Sequence, residues 1–207
     1  MKWFGIRREK CGLPANAYPP LQTERLVMRM FQPGDAMDVF DYARSPIVGA
    51  MAGWAPHKTL LESQQVVRRF ISRGDVWAIV EKRTGHVIGS IGLHTDSRRE
   101  IDNARMLGYA LGENYWGKGY ATEAAREVLR FAFMELQCPI LSVYHYPGNT
   151  KSRHVIKKLG FVQEGTLRMA STLPNGSPTD EVCCSLTREE YLAALAPPTM
   201  QIGRAHV

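Results

Sequence analysis

Two glycines, Gly117 and Gly119, flank Lys118 in the run N-Y-W-G-K-G-Y-A-T-E-A at positions 114–124. The preceding residues, Arg105 to Leu111 (R-M-L-G-Y-A-L), have the composition of a strand, and Ala121 to Leu136 carries a helical pattern. A glycine turn between strand and helix leaves backbone N–H groups pointing outward, with the positive end of the helix dipole behind them. That arrangement suits an anion, usually a phosphate. A nucleotide-hydrolase loop would need G-x-x-x-x-G-K-[ST], and nothing here supplies it. A dinucleotide fingerprint would need a third glycine and an acidic residue ending the next strand, where this chain has His145 and Tyr146. Taken alone, the pair can also be no more than a tight corner.

A second constellation lies further along, where Asn149-Thr150-Lys151-Ser152 opens a helix that ends in Lys158-Leu159-Gly160-Phe161. Asn149 has the character of an N-cap and Gly160 that of a C′ stop. Lys151, Arg153, Lys157 and Lys158 give this short helix a basic face, suited to solvent or to a phosphate. Tyr144 and Tyr146 alternate with His145, so the two sets face opposite sides of a strand. A tyrosine in such a place more often packs than reacts.

The elements that must position these residues follow from periodicity and caps. Thr23–Phe31 is expected as the first strand, and Asp35 as the cap of a helix over Ala36–Arg44. Pro46–Lys58 reads as a loop. Thr59 with Glu62 forms a capping box for a helix reaching Arg73. Strands over Val76–Lys82 and His86–His94 form a hairpin across Arg83-Thr84-Gly85, and a polar loop leads to the central strand. Ile140–Tyr146, Phe161–Glu164 and Glu181–Leu186 are further strands, and Thr187 with Glu190 caps a last helix. The order predicts an α/β (α+β mixed) fold, with a mixed sheet and helices on both faces. Residues 1–20 read as an irregular leader, 21–196 as one domain and 197–207 as a tail. The last six residues, I-G-R-A-H-V, match an in-frame translation of a common sequencing adapter and are read as non-native.

At 207 residues, with 44% hydrophobic and 22% charged, the chain has the size and composition of a soluble globular protein with a real core. No stretch is long enough to span a membrane, and no signal-like run opens the chain. Cys11, Cys138, Cys183 and Cys184 lack metal-ligand spacing, and the adjacent pair would point to opposite faces of a strand. The expectation is a cytoplasmic protein with reduced thiols, no metal, no DNA partner and no membrane partner. The net charge of +6 fits a polyanionic cofactor, a basic surface or nucleic acid. A basic RNA- or ribosome-binding module without catalysis is therefore an alternative. Against it, no aromatic-and-basic ribbon of the kind that stacks single-stranded bases is present.

Read together, these segments resemble the GNAT superfamily of acetyl-CoA-dependent N-acetyltransferases, and its RimJ/RimL-type branch most closely. Thr23-Glu24-Arg25-Leu26 with Arg29 resembles the opening strand of that branch, and Trp116–Ala124 its cofactor loop. Asn149, Ser152 and Lys158–Phe161 resemble its second motif, and Glu164-Gly165 the usual sequel. The resemblance runs from Leu21 to Ala194. It implies a mostly antiparallel mixed sheet of about seven strands with a splayed cofactor cleft, in a monomer or homodimer. The implied reaction is direct transfer of an acetyl group from acetyl-CoA to a primary amine. The acceptor is expected to be a protein N-terminal α-amino group, as in ribosomal-protein-alanine acetylation, with a small-molecule amine or antibiotic as the alternative.

The same resemblance assigns roles. Backbone N–H groups of Gly117, Lys118, Gly119, Tyr120, Ala121 and Thr122 would hold the pyrophosphate. Tyr109 and Leu111 would run beside the pantetheine arm, and the N–H of Leu111 would polarise the thioester carbonyl. Asn149 would contact the arm as well as cap its helix. Ser152 would protonate the leaving thiolate, or be a solvated first-turn serine. Trp54 and His57, with the turn Leu173–Pro178, would wall the acceptor pocket, although Trp54 also suits a core. Glu123 would shape the loop. Two departures stand out: Asn114 replaces a usual Gln or Arg, and Met106 stands where many relatives carry a carboxylate that serves as general base. Near pH 7 roughly a tenth of an α-amino group is free base, against under a thousandth of a lysine. A site without a strong base thus favours a weakly basic amine, unless a water chain to His57, His94 or His145 substitutes.

Overall fold

The computed structural model describes residues 17–196. The leader up to residue 16, the tail from residue 197 and Cys11 lie outside the described residues. Eight strands form one sheet in the order β1-β2-β3-β4-β5-β6-β8-β7. They are β1 (Leu21–Gln22), β2 (Leu26–Met30), β3 (Val76–Glu81), β4 (Val87–Thr95), β5 (Arg105–Leu111), β6 (Ile140–His145), β7 (Val162–Thr172) and β8 (Pro178–Thr187). Every pairing is antiparallel except β5 with β6. The mixed α/β architecture is as expected, with one strand more than the seven foreseen.

The difference arises at the start. The expected strand over Thr23–Phe31 begins only at Leu26, and a short extra strand, Leu21–Gln22, precedes it, because Thr23 turns the chain: its hydroxyl accepts from the Leu26 N–H at 3.1 Å, and its own N–H donates to the Leu26 carbonyl at 3.0 Å. That turn folds Leu21 back onto Met28. The last two strands also run longer than their hydrophobic centres suggested, since β7 is an exposed edge whose residues gave little pattern.

Two apolar layers cover the sheet. On one face α1 (Ala36–Ala43), α2 (Pro46–Ala52) and α3 (Leu60–Arg73) cover Phe31, Val76, Ala78 and Val80. On the other, α4 (Tyr120–Arg130), continued by a π-helical turn over Phe131–Glu135, buries Val128, Leu129 and Phe133 against Met28, Ile79, Ile91 and Leu107. The short α5 (Thr150–Lys158) and α6 (Arg188–Leu195) complete that side, with Tyr191 stacked on Phe133 at 4.8 Å.

Helix α2 occupies part of the expected loop. Ser45 accepts from the N–H groups of Ile47 and Val48, Pro46 occupies the first turn where its missing N–H costs nothing, and Gly53 ends the helix at φ 85°. The glycines, Trp54 and Pro56 had masked these caps.

The feature that positions the site is a divergence. Strands β5 and β6 pair over two residues only, Arg105 with Leu141 and Met106 with Ser142. Beyond Met106 they separate, and β5 keeps its ladder with β4 on one side while its other edge opens into a cleft.

Candidate active site

The cleft has a volume of about 990 Å³ and runs from the glycine turn, across the gap between β5 and β6, to the face carrying α2 and α3. Its donor wall is main chain. Gly117 and Gly119 sit at φ 74° and 81°, a left-handed conformation that side-chain-bearing residues resist. The first α-helical bond of α4 runs from the Glu123 N–H to the Gly119 carbonyl at 3.0 Å. The N–H groups of Tyr120, Ala121 and Thr122 therefore lack helical partners and crown the positive end of the dipole. Gly117, Gly119, Tyr120, Ala121 and Thr122 all line the cleft. The side chain of Lys118 does not; its ammonium lies 5.4 Å from the centre of the Tyr115 ring, and its carbonyl accepts from Arg25 at 3.0 Å.

Glu123 fixes this turn from behind. One carboxylate oxygen accepts from the Thr23 hydroxyl at 2.6 Å and the Arg25 N–H at 2.9 Å, and the other from Arg25 Nε at 2.7 Å. Burial raises the Glu123 carboxyl, but these hydrogen bonds outweigh it and hold the group below its usual range. The carboxylate is committed to shaping the loop.

Along β5 the ladder alternates. Gly112 donates to Ile88 at 2.9 Å, which makes that pair hydrogen-bonded and turns the backbone groups of Leu111 and Tyr109 away from β4, into the cleft. The Leu111 carbonyl accepts from Trp116 Nε1 at 2.8 Å, while its N–H has no partner among the described residues and faces the gap. The Tyr109 hydroxyl crosses the gap and lies 2.9 Å from Ser152 Oγ. Burial pushes Tyr109 up to about 12, partly offset by that contact, so it carries its proton at neutral pH. Ser152 is thus one member of a hydroxyl pair and not a free first-turn serine.

Asn149 is a cap by geometry: its carbonyl oxygen accepts from the Ser152 N–H at 3.0 Å. Its amide donates to the Met51 carbonyl at 3.0 Å, which ties α5 to α2 across the cleft. Trp116 was not singled out from the sequence beyond its motif, yet it sits under the Lys151 ammonium, 3.6 Å from its ring centre. This contact joins the glycine turn to α5.

The opposite wall is side chain. Ile47, Val48, Met51, Trp54 and Phe70 line it, and the Leu173–Pro178 turn forms an adjoining groove of about 420 Å³ with Trp54 and Tyr146. Trp54 is half-buried against the α1–α3 core and also lines the cleft. Its indole N–H is buried without a partner among the described residues. His57, expected beside it, is a correction. Its backbone N–H donates to Ala43 at 3.1 Å, which turns it toward α3, where Nδ1 lies 2.8 Å from Ser63 Oγ. It is absent from the cleft lining.

The carboxylates that line the cleft, Asp96 and Glu181, face guanidinium groups, Arg99 at 3.4 Å and Arg98 at 2.5 Å. No cluster of potential metal ligands occurs among the described residues.

A family model described as an acetyltransferase (GNAT) domain matches residues 25–162. The chain belongs to the GNAT acetyltransferase family. It is 29% identical over 177 residues to the uncharacterized N-acetyltransferase p20 of Bacillus licheniformis, covering 83% of this chain and 97% of that one. The fold is similar to that of a ribosomal-protein-S5-alanine acetyltransferase from Vibrio fischeri (TM-score 0.68, 21% identity, 84% of this chain and 99% of that one). It is also similar to a spermidine N-acetyltransferase from Vibrio cholerae in complex with CoA and spermine (TM-score 0.69, 19% identity, 82% and 99%). As a GNAT member the protein is an acetyl-CoA-dependent N-acetyltransferase. The residues fit that cosubstrate: a backbone cradle for a pyrophosphate at α4, an open strand edge for an amide-bearing arm, and a hydroxyl pair beside the gap.

Proposed function

We propose that the acceptor is a protein N-terminal α-amino group followed by a small or apolar side chain, in the manner of the RimJ/RimL-type branch. The observation that carries this reading is the acceptor wall. It is apolar, and its two carboxylates are already matched by arginines, so a polyamine would find no free negative charge. An N-terminus needs one neutralised nitrogen and a place for a modest side chain, which Val48, Met51, Trp54 and Phe70 supply. A relative in fold acts on a ribosomal-protein alanine by its name, and another on spermidine.

The chemistry assigned to the residues is direct transfer. The glycine turn and the first turn of α4 hold the diphosphate. The Leu111 N–H donates to the thioester oxygen as negative charge builds there, and Ser152, backed by Tyr109, gives a proton to the departing sulfur. The test is CoA release from acetyl-CoA with peptides beginning in Ala, Ser or Met, and with spermidine and an aminoglycoside. The expected result is a kcat/KM for an alanyl peptide at least about tenfold above that for spermidine. The reverse order would overturn the reading.

A further inference from the structure

Resting on that proposed reading, we infer that His94, held by Asp75, is the base that takes the proton from the incoming amine. Met106 leaves its place on β5, at the head of the cleft, without a proton-accepting side chain. The residue directly opposite Met106 on β4 is His94. Cross-strand partners present their side chains on one face about 5 Å apart, so the imidazole stands one strand over from the methionine, still inside the cleft.

The ring is given room to lie flat. A Cβ at Gly108 would come within 3.6 Å of His94 Nε2, and one at Gly92 within 3.1 Å. Gly92 and Gly108 are themselves partners across β4 and β5, so a floor of two glycines carries Nε2 over the strand that lines the donor gap. Nε2 makes no hydrogen bond among the described residues, whereas Nδ1 lies 2.9 Å from Asp75 Oδ2 and 2.9 Å from Arg73 Nη2. Asp75 also accepts from Arg73 at 2.6 Å. Burial raises the Asp75 carboxyl, and the hydrogen bonds from Arg73 and His94 more than reverse this, so it stays a carboxylate.

Those neighbours leave two arrangements. With the proton on Nδ1, His94 donates to Asp75 and its Nε2 lone pair faces the cleft. With Nδ1 bare, it accepts from Arg73 and presents Nε2–H. The inference requires the first, in which the carboxylate orients the ring and stabilises the imidazolium formed when Nε2 takes a proton. The other charged groups lining this part of the cleft, Asp96 and Arg98, are engaged by Arg99 and Glu181. The two remaining imidazoles of the cleft are placed differently. His145 faces the α4 layer with Leu141 and Val143, its Nδ1 bonded to the Tyr146 carbonyl at 2.9 Å, and His154 is exposed on α5.

In the step assigned to it, Nε2 removes one proton from the acceptor ammonium, directly or through one water. The freed nitrogen lone pair forms the C–N bond to the thioester carbonyl, the C–S bond breaks as Ser152 gives its hydroxyl proton to sulfur, and the nitrogen's second proton passes to the Ser152 oxygen to restore the hydroxyl. The proton on His94 leaves to solvent, which accounts for the one proton released per turnover.

The test is the pH dependence of kcat/KM for His94→Ala and His94→Gln with acetyl-CoA and an alanyl peptide. The expected loss is about 100-fold near pH 7. It should shrink as pH rises above about 8, where the peptide amine is already free base. Asp75→Asn, a change at a positioning residue, should lose about tenfold with the same pH trend. An undiminished acetyl-CoA melting shift in each variant shows a folded protein with an intact donor site. A loss equal at every pH, or wild-type rates, would overturn the inference. Nitrogen NMR of the His94 ring in the wild-type protein gives a reading that needs no turnover. A neutral ring protonated at Nδ1 supports the dyad, and one protonated at Nε2 overturns it. If the wild-type protein acetylates no α-amine, the proposed function fails while the ring tautomer still decides this point.

Discussion

The two walls of the cleft are built from different material. The donor wall is main chain: N–H groups at the start of α4, the open edge of β5, and two glycines whose positive φ keeps side chains out of the way. The acceptor wall is side chain, drawn from the neighbouring α2, Trp54 loop and α3 and from the β7–β8 turn, which begins about a hundred residues further along the chain. A wall of backbone depends on local conformation and tolerates many side chains around it. A wall of side chains can be altered one residue at a time without disturbing the fold. On the proposed reading, backbone geometry sets the donor site while replaceable side chains set the choice of amine.

The largest effect should come from breaking the main-chain wall. Gly119→Glu adds a side chain at φ 81° and a negative charge where the cradle favours anions. We expect loss of both turnover and the acetyl-CoA melting shift; a retained shift would show that the diphosphate lies elsewhere. Ser152→Ala should lower kcat by about 10- to 100-fold with little change in acetyl-CoA affinity, because it removes a proton donor and no cradle group. Equal losses in kcat and affinity would make Ser152 a binding group instead. On the side-chain wall, Trp54→Ala should raise the KM for an alanyl peptide about tenfold, and acetyl-CoA binding measured by calorimetry should stay unchanged. A fall in acetyl-CoA affinity would erase the distinction between the walls.

The smallest effect concerns the ion pair of Glu164 on β7 with Arg99, outside both walls. Hydrogen bonds from Arg99 and Ser185 hold the Glu164 carboxyl down to about 2. A carboxyl depressed on folding stabilises the native state above the ordinary range near 4.3, and this contribution disappears as pH falls through about 4.3 toward 2. Glu164 is partly exposed, at 40% for its side chain, so screening keeps the effect modest. Glu164→Gln should lower the melting temperature by a few degrees at pH 7, and the difference from wild type should close by pH 2.5. A difference independent of pH would assign the loss to packing.

The contrast between the walls also explains what could be read from the chain alone. The glycine turn, the Asn149 cap, the Gly160 stop and the hairpin at Arg83–Gly85 depend on neighbours in sequence, and each was legible. Helix α2 had legible ends in Ser45, Pro46 and Gly53, but its interior glycine and the following tryptophan and proline resembled a loop. The choice between histidines was not legible. His57 and His94 are the same residue type, and only the register of β4 on β5 puts one opposite Met106 in the cleft while the Ser63 contact draws the other aside. The divergence of β5 from β6 after two paired residues leaves no periodic trace at all.

That divergence has a consequence for the sheet itself. Past Met106 the ladder is unfinished, and the N–H of Leu111 and the main chain of Tyr109 have no neighbouring strand to bond among the described residues. The cosubstrate's amide-bearing arm is narrow enough to enter there and carries donors and acceptors along its length. Its arrival would act as the missing strand, so binding doubles as the last step of sheet assembly. Amide hydrogen exchange would register it as slowing centred on Tyr109 and Leu111, with the outer ladders unchanged.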